Sequence, residues 1–121
     1  MTDPAPIDWN EIAVEHPLPG IARQTVHGQN QTLVRYVYQP GSVFPIHHHP
    51  EEQITVILSG SIDFTVDGAP LTLSAGQVAI IPSGLPHGAT VTGSVPVETL
   101  NTMSPRRQTA PRIGSSDEDG P

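Results

Sequence analysis

Three consecutive histidines, His47, His48 and His49, are the residues of this chain best suited to metal chemistry. Because Pro50 disfavours a helical conformation for the residue before it, the triplet is expected to be extended. Alternate side chains of an extended strand share a face, so His47 and His49 are predicted to point one way and His48 the other. Two imidazoles on one face form part of a site for a divalent ion.

Two further side chains can complete that site. The turn after the histidines can bring the amide oxygen of Gln53 beside them, and His87 lies in a later turn of similar character. Three imidazoles and one amide oxygen predict one divalent metal ion per chain, with zinc or nickel favoured by the nitrogen-rich ligands and iron and manganese still open. His27 is an alternative extra ligand, and Glu52 could replace Gln53. Glu51 is expected to be a solvated turn residue.

Short stretches of alternating polar and apolar residues, separated by glycine and proline, predict an all-β fold. No stretch shows helical periodicity over any length. Many short strands at regular spacing indicate a barrel or a double-sheet jelly roll. The strands are expected at 21–28, 31–39, 53–59, 61–66, 70–73, 78–81, 88–92 and 95–103.

The length of 121 residues predicts one domain with a single core. Residues 1–20 form a proline- and acid-rich N-terminal arm, in which Trp9 is expected to attach the arm to the body or to cross to a partner subunit. Residues 21–104 form the body. Residues 105–121 are predicted to be a disordered tail, because they contain almost nothing to bury.

The formal net charge of −7, from 12 acidic and 5 basic residues, argues against nucleic acid or an anionic membrane as a partner. The chain has no cysteine, which excludes disulfides and thiolate ligands. The N-terminal residues lack the features of a signal peptide, and no apolar run approaches membrane-spanning length. A soluble cytoplasmic protein that binds a small organic molecule is the expectation.

Two glycine-framed motifs resemble those of the cupin family. The first consists of Gly41, His47, His49, Gln53 and Gly60, and the second of Gly76, Pro82, Gly84 and His87. Gln53 replaces the usual glutamate of the first motif, and Val91 stands where the second often ends in asparagine. The resemblance implies a cupin jelly-roll barrel, or double-stranded β-helix, over residues 21–104. It implies a metal bound by His47, His49, Gln53 and His87, and a homodimer, which is common among cupins.

Small cupins with this ligand set resemble cupin-type aromatic polyketide cyclases of antibiotic pathways and, less well, pectin-degradation cupins that linearise unsaturated uronates. The uronate group carries an acid, an aromatic residue and an arginine near its last strand. Alignment on Arg106 places Leu100 and Thr102 at the first two positions, with Glu98 as the nearest acid. The resemblance therefore implies a polyketide cyclase, in which the metal polarises a ketone and a base removes the neighbouring proton before ring closure.

The barrel mouth is expected to hold the substrate, flanked or lined by residues chosen from Arg35, Tyr36, Tyr38, Phe44 and Thr55. A neutral ligand set leaves the ion its full charge, which favours Lewis-acid chemistry without redox change. Three alternatives stay open. They are an iron- and O2-dependent dioxygenase, an isomerase of uronates or other sugars, and a non-catalytic binding protein.

Overall fold

Eleven strands and one short 3₁₀ helix, Trp9–Glu11, make up the part of the chain that the computed structural model describes, residues 4–108 and 112–113. In chain order the strands are β1 (Glu15–Leu18), β2 (Ile21–His27), β3 (Thr32–Tyr38), β4 (Val43–His48), β5 (Glu52–Ser59), β6 (Ser61–Val66), β7 (Ala69–Ser74), β8 (Val78–Ile81), β9 (His87–Thr90), β10 (Val97–Ser104) and β11 (Arg112–Ile113).

The strands form two antiparallel sheets. One sheet has the order β1-β2-β3-β10-β5-β8 and the other β11-β4-β9-β6-β7. The two sheets confirm the all-β, double-sheet prediction, and the predicted strands all exist with boundaries shifted by at most two residues. Among the described residues, no helix is long and apolar enough to span a membrane.

The inner faces of the sheets bury the apolar half of each alternating pattern. On β3, Val34, Tyr36 and Tyr38 are buried, whereas Arg35 on the opposite face is only half-buried. Burying one large apolar side chain stabilises the fold by about 1.5–3 kcal/mol. The core includes Ile21, Val34, Ile57, Ile62, Phe64, Leu73, Ile81, Val97 and Met103.

A β-bulge in β4 breaks the alternation where the histidines begin. Phe44 pairs with Ala89 and His47 with His87, so three steps along β4 match two steps along β9. Both Phe44 and His47 are therefore buried, although strict alternation would place them on opposite faces. Bulges re-aim side chains in this way next to functional sites.

Glycine is required where β5 turns into β6. Gly60 has φ of 82°, and a Cβ atom there would lie 2.7 Å from the backbone oxygen of Pro96. Only glycine combines that backbone conformation with so close an approach. The turn keeps β5, which carries Gln53, in the sheet opposite β6.

The N-terminal arm packs against the outer face of the larger sheet. Nε2 of Gln24 donates to the backbone oxygens of Trp9 (2.8 Å) and Ile12 (3.0 Å), and the Arg35 guanidinium lies 5.8 Å from the centre of the Trp9 ring. β1 also lies within the segment predicted to be an arm, and pairs with β2. Residues 4–20 are therefore attached to the sheet through β2 and β3.

The chain after β10 crosses from one sheet to the other. Arg107 is buried, and its backbone N–H donates to Oγ1 of Thr32 (2.9 Å). Further on, β11 pairs with β4 opposite His47 and His48. The prediction of a disordered tail from residue 105 does not fit the burial of Arg107. Its guanidinium lies beside the carboxylate of Glu51, a pairing that the sequence did not reveal. Residues 109–111 and 114–121 of that prediction lie outside the described residues.

Candidate metal centre

The three predicted histidines meet between the two sheets. His47, His49 and His87 are all buried, and one ring nitrogen from each lies within 4.8 Å of the others. His47 and His87 face each other across the β4–β9 pairing, where a Cβ on Gly88 would lie 2.9 Å from the oxygen of Phe44. The absence of a side chain at Gly88 lets the two strands approach and brings the two imidazoles together.

Backbone carbonyls fix the tautomer of each histidine. Each ring places Nδ1 against the oxygen of a residue two positions away: His47 against Pro45 (2.9 Å), His49 against Glu51 (3.0 Å) and His87 against Leu85 (2.9 Å). A carbonyl oxygen can only accept, so in the neutral ring the proton is on Nδ1. Each Nε2 therefore carries a lone pair and is available as a metal ligand.

A polar network beneath the histidines orients Gln53. Its Nε2 donates to Oγ1 of Thr55 (2.8 Å) and Oδ1 of Asn101 (3.3 Å), while Nδ2 of Asn101 donates to the backbone oxygen of Val34 (3.1 Å). Since both amide protons are used in this way, the carbonyl oxygen of Gln53 must face the other side. It lies 3.0 Å from Nε2 of His49.

The side-chain atoms that face one another in this cluster are hydrogen-bond acceptors, and such a set fits a cation. Oε1 of Gln53 and Nε2 of His49 are both acceptors, so no hydrogen bond can form across their 3.0 Å contact. Nε2 of His87 is buried without any hydrogen-bond partner. Buried polar atoms left without a partner cost about 1–3 kcal/mol each. A divalent metal ion would satisfy these lone pairs at once, so the three histidines could hold one.

Burial keeps the imidazoles neutral. Desolvation is the largest cause that lowers the pKa of His47 to about 3 and the pKa values of His49 and His87 to about 4. The charge of His87 further lowers the pKa of His47, and the charge of Arg107 lowers that of His49. At neutral pH the lone pairs are thus available to a metal without the loss of a proton.

The cluster borders a small cavity with an aromatic wall. Its volume is about 20 Å³, and its lining includes Tyr36, Tyr38, Phe44 and Phe64 besides His47, Gln53 and His87. This is room for about one water molecule. Burial raises the pKa of the Tyr38 hydroxyl well above its usual range, so that group stays protonated.

The predicted pocket residues divide into three groups. Tyr36, Tyr38 and Phe44 line the cavity. Thr55 is buried below it and supports Gln53 through the hydrogen bond from its amide. Arg35 is far from the cavity, because it alternates with Tyr36 on β3 and points to the outer face. There its Nε lies 2.6 Å from Oε2 of Glu98.

The alternative ligands lie outside the cluster, and one acidic residue differs from its prediction. His27 is exposed and contacts Oγ1 of Thr32 (2.9 Å), and Glu52 is exposed. Glu51, expected to be solvated, is 3% exposed. Its Oε1 lies 3.3 Å from Nδ1 of His49 and 3.6 Å from Nε of Arg107. Two nearby cationic or proton-bearing groups compensate for its burial.

Arg107 is the charged cavity residue that sequence reasoning missed, besides the apolar Phe64 and Met103. Arg106, used above to align the chain with uronate cupins, is exposed, whereas Arg107 is buried and lines the cavity. Shifting that alignment by one residue places Asn101 and Met103 at the acid and aromatic positions. Both are buried, because odd-numbered residues of β10 point inward. That alternation along β10 was the available signal.

Comparisons with known proteins agree with this architecture. The Cupin_2 family model, a cupin domain, matches residues 34–103. Dimethylsulfoniopropionate lyase DddQ from Ruegeria pomeroyi is 39% identical over 85 residues, covering 68% of this chain and 42% of DddQ. H2HPP isomerase from Bacillus subtilis is 36% identical over 66 residues, covering 54% of this chain and 28% of the isomerase. The matched region thus spans less than half the length of either relative.

Among solved structures, KdgF from Halomonas sp. superposes with a TM-score of 0.74 at 26% identity, covering 82% of this chain and 91% of KdgF. The family match includes all four predicted metal ligands: His47 on β4, His49 between β4 and β5, Gln53 on β5 and His87 at the start of β9. With two antiparallel sheets around a histidine cluster, this chain belongs to the cupin family and has its jelly-roll fold.

Proposed function

We propose that this protein is a metal-dependent enzyme that transfers a proton next to a carbonyl group of a small organic substrate, without redox change. The observation that carries the proposal is the meeting of four neutral acceptors, His47, His49, Gln53 and His87, beside a small aromatic cavity. Many lyases, isomerases and cyclases use such a step.

The four acceptors would hold the ion, and zinc is our first choice because three of the four ligands are imidazole nitrogens. When bound, a divalent ion supplies Lewis acidity, which these uncharged ligands do not diminish. The set lacks the two-histidine, one-carboxylate arrangement typical of non-haem iron oxygenases. This difference favours the non-redox function over the dioxygenase.

The cavity wall excludes bulk water and supplies groups that can carry a proton. The side chains of Phe44, Phe64 and Met103 have no exchangeable proton, whereas the hydroxyls of Tyr36 and Tyr38 can donate and accept. Because Tyr38 remains protonated at neutral pH, we assign it the donor role toward a substrate oxygen. Tyr36 is the neighbouring hydroxyl, with ring centres 5.6 Å apart.

The two curated relatives support the reaction type, because one is named a lyase and the other an isomerase. Cyclisation of a poly-ketone, expected from the sequence, belongs to the same proton-transfer chemistry. A cavity of about 20 Å³ favours a substrate smaller than a poly-ketone chain. DddQ, by its name, acts on a substituted propionate, which is smaller than a poly-ketone chain.

The test is proton exchange, which needs no knowledge of the product. Zinc-loaded protein is mixed anaerobically with a panel of small ketones and oxo acids in D2O, and loss of the proton next to the carbonyl is followed by NMR. We expect exchange with at least one of them. Gln53→Glu should slow it by about 10- to 100-fold, or about 1.4–2.7 kcal/mol of barrier, because one added negative charge weakens carbonyl polarisation.

Gln39→Glu is the matched control, since Gln39 is exposed and its substitution adds the same charge away from the cavity. It should exchange protons at the wild-type rate. Strict dependence on iron and O2 would overturn the proposal in favour of a dioxygenase. Tight binding of a small molecule without exchange or turnover would indicate a binding protein.

A further inference from the structure

We propose that Arg107 binds a carboxylate group of the substrate, which makes the substrate a small organic acid. This inference rests on the proposed function for the role of the neighbouring metal ligands, but the binding it predicts can be measured without catalysis. Arg107 borders the same cavity as His47, Gln53 and His87. A ligand held by its guanidinium would therefore lie next to the four acceptors.

The hydrogen-bonding state of Arg107 is the first observation. The residue is 6% exposed, yet its Nε and Nη2 atoms are buried and have no hydrogen-bond partner among the described residues. These two N–H groups lie on one edge of the planar guanidinium and point in parallel, which is the pair of donors that a carboxylate accepts in bidentate fashion. An oxyanion with two oxygens would satisfy both donors at once.

Glu51 compensates the charge of Arg107 but does not satisfy its donors. The contact from Oε1 of Glu51 to Nε of Arg107 is 3.6 Å, too long for a hydrogen bond, and Oε1 is itself without a partner. The same oxygen lies 3.3 Å from Nδ1 of His49. Glu51 therefore makes burial of the guanidinium tolerable while leaving its donor edge available to a ligand.

Arg107 also stands between two spaces of different size. Besides the small inner cavity, it borders an open cleft of about 460 Å³ on the outside, whose charged lining residues besides Arg107 are Glu11, Glu15 and Arg23. Small-molecule sites usually have volumes of about 300–1,000 Å³. Because Arg107 lines both the cleft and the inner cavity, a ligand in either space could contact it.

Charge balance favours an anion at this position. The histidines and Gln53 are neutral, and Arg107 and Glu51 offset each other, so a bound divalent ion would leave the cavity with an uncompensated charge of about +2. A carboxylate reduces that charge and takes both free donors. The apolar wall and the small volume favour a short carbon chain over a long one, which points to a small monocarboxylate with a carbonyl near its acid group.

The test measures binding of propionate and pyruvate, with propionamide as the uncharged analogue of the same size. NMR or calorimetric titrations are run on metal-free and zinc-loaded protein for wild type, Arg107→Gln, Arg107→Lys and the control Arg106→Gln. We expect Arg107→Gln to weaken binding of both acids at least tenfold, also without metal, and to leave propionamide unchanged. Arg107→Lys should be intermediate because it keeps the charge but loses the bidentate edge. Arg106→Gln should match wild type, because Arg106 is exposed.

Glu51→Gln separates ligand binding from a purely structural ion pair. If Arg107 serves the substrate, this change removes a competing anion and should maintain or strengthen acid binding. Equal acid affinity in wild type and folded Arg107→Gln would overturn the inference, as would weaker acid binding in a folded Glu51→Gln protein. If acids bind through Arg107 but no proton exchange is found, the inference stands and the proposed function fails. If neutral ketones exchange protons and acid binding does not depend on Arg107, the proposed function stands and the inference about Arg107 fails.

Discussion

The two polar groups that border the inner cavity have opposite hydrogen-bonding deficits. His47, His49, Gln53 and His87 present lone pairs with no donor among them, whereas Arg107 presents two donors with no acceptor. One group would be satisfied by a cation and the other by an anion. A cavity with both deficits side by side fits a metal ion together with an acidic ligand better than either alone.

The two groups are also held in place by different means. Backbone carbonyls and the amide network of Asn101 lock the acceptors, so their orientation follows from the strands. Arg107 follows the last strand of the larger sheet and is held by Thr32 and by the charge of Glu51. A substitution in one group should therefore leave the orientation of the other group unchanged.

The largest expected effect is acid unfolding of the metal-free protein. The pKa values of the three cluster histidines are about 3–4 in the folded state and 6.5 in the unfolded chain. Below pH 6.5 the unfolded chain therefore binds more protons than the folded state. Stability should fall as the pH drops from 6.5 to about 4, by up to about 1.4 kcal/mol per pH unit for each histidine. Urea melts at half-unit pH intervals would measure this.

His87→Gln should reduce that pH dependence by about a third, while His16→Gln, at an exposed position, should not change it. Saturating zinc should protect the protein, because the ion competes with protons for the same lone pairs. A stability profile that is flat between pH 6.5 and 4.5 would contradict the buried, neutral state of the cluster.

Two truncations should separate the contribution of Arg107 to stability from that of the residues that follow it. Removing residues 106–121 deletes Arg107 and leaves Glu51 buried without its cationic partner, at a cost of about 3–5 kcal/mol. Removing residues 109–121 keeps Arg107 and should change the free energy of unfolding much less. Thermal melts give both values, and equal melting temperatures for the two truncations would show that the ion pair does not stabilise the fold.

The smallest effect, about 100-fold or 2.7 kcal/mol, is expected for metal affinity after removal of one ligand. His49→Ala should bind zinc at least that much more weakly than wild type, because loss even of an outer partner costs 10- to 100-fold. Arg107→Gln should stay within a few-fold of wild type. Elemental analysis and competition with a chelator measure both. Full occupancy in His49→Ala would remove that residue from the metal site.

The acceptor group was predictable because spacing and chain geometry define it. His47 and His49 share a face by strand alternation, and the glycine frame around them carries the resemblance to cupins. The bulge in β4 was not predictable, because it depends on how β9 pairs with β4. Alternation correctly separated Arg35 from Tyr36, but only the assembled sheet shows which of the two faces the cavity.

The donor group was missed because burial of a charged residue is decided by its tertiary partners. Glu51 follows a proline in a turn, and Arg107 lies in a polar stretch, so both are expected at the surface from local composition. Each becomes tolerable in the interior only when the other is present. That condition joins residues 56 positions apart and has no local sequence signal.

If the proposed roles hold, the position of Arg107 after β10 allows the metal site and the choice of substrate to be inherited separately. The matched family region ends at residue 103, with all four acceptors inside it and Arg107 four residues beyond. Mutation or recombination downstream of Ser104 can therefore change which molecule is admitted while the metal ligands are inherited intact. Under the proposed function, such an arrangement would let one ancestral barrel give rise to enzymes that differ in substrate yet share the same reaction.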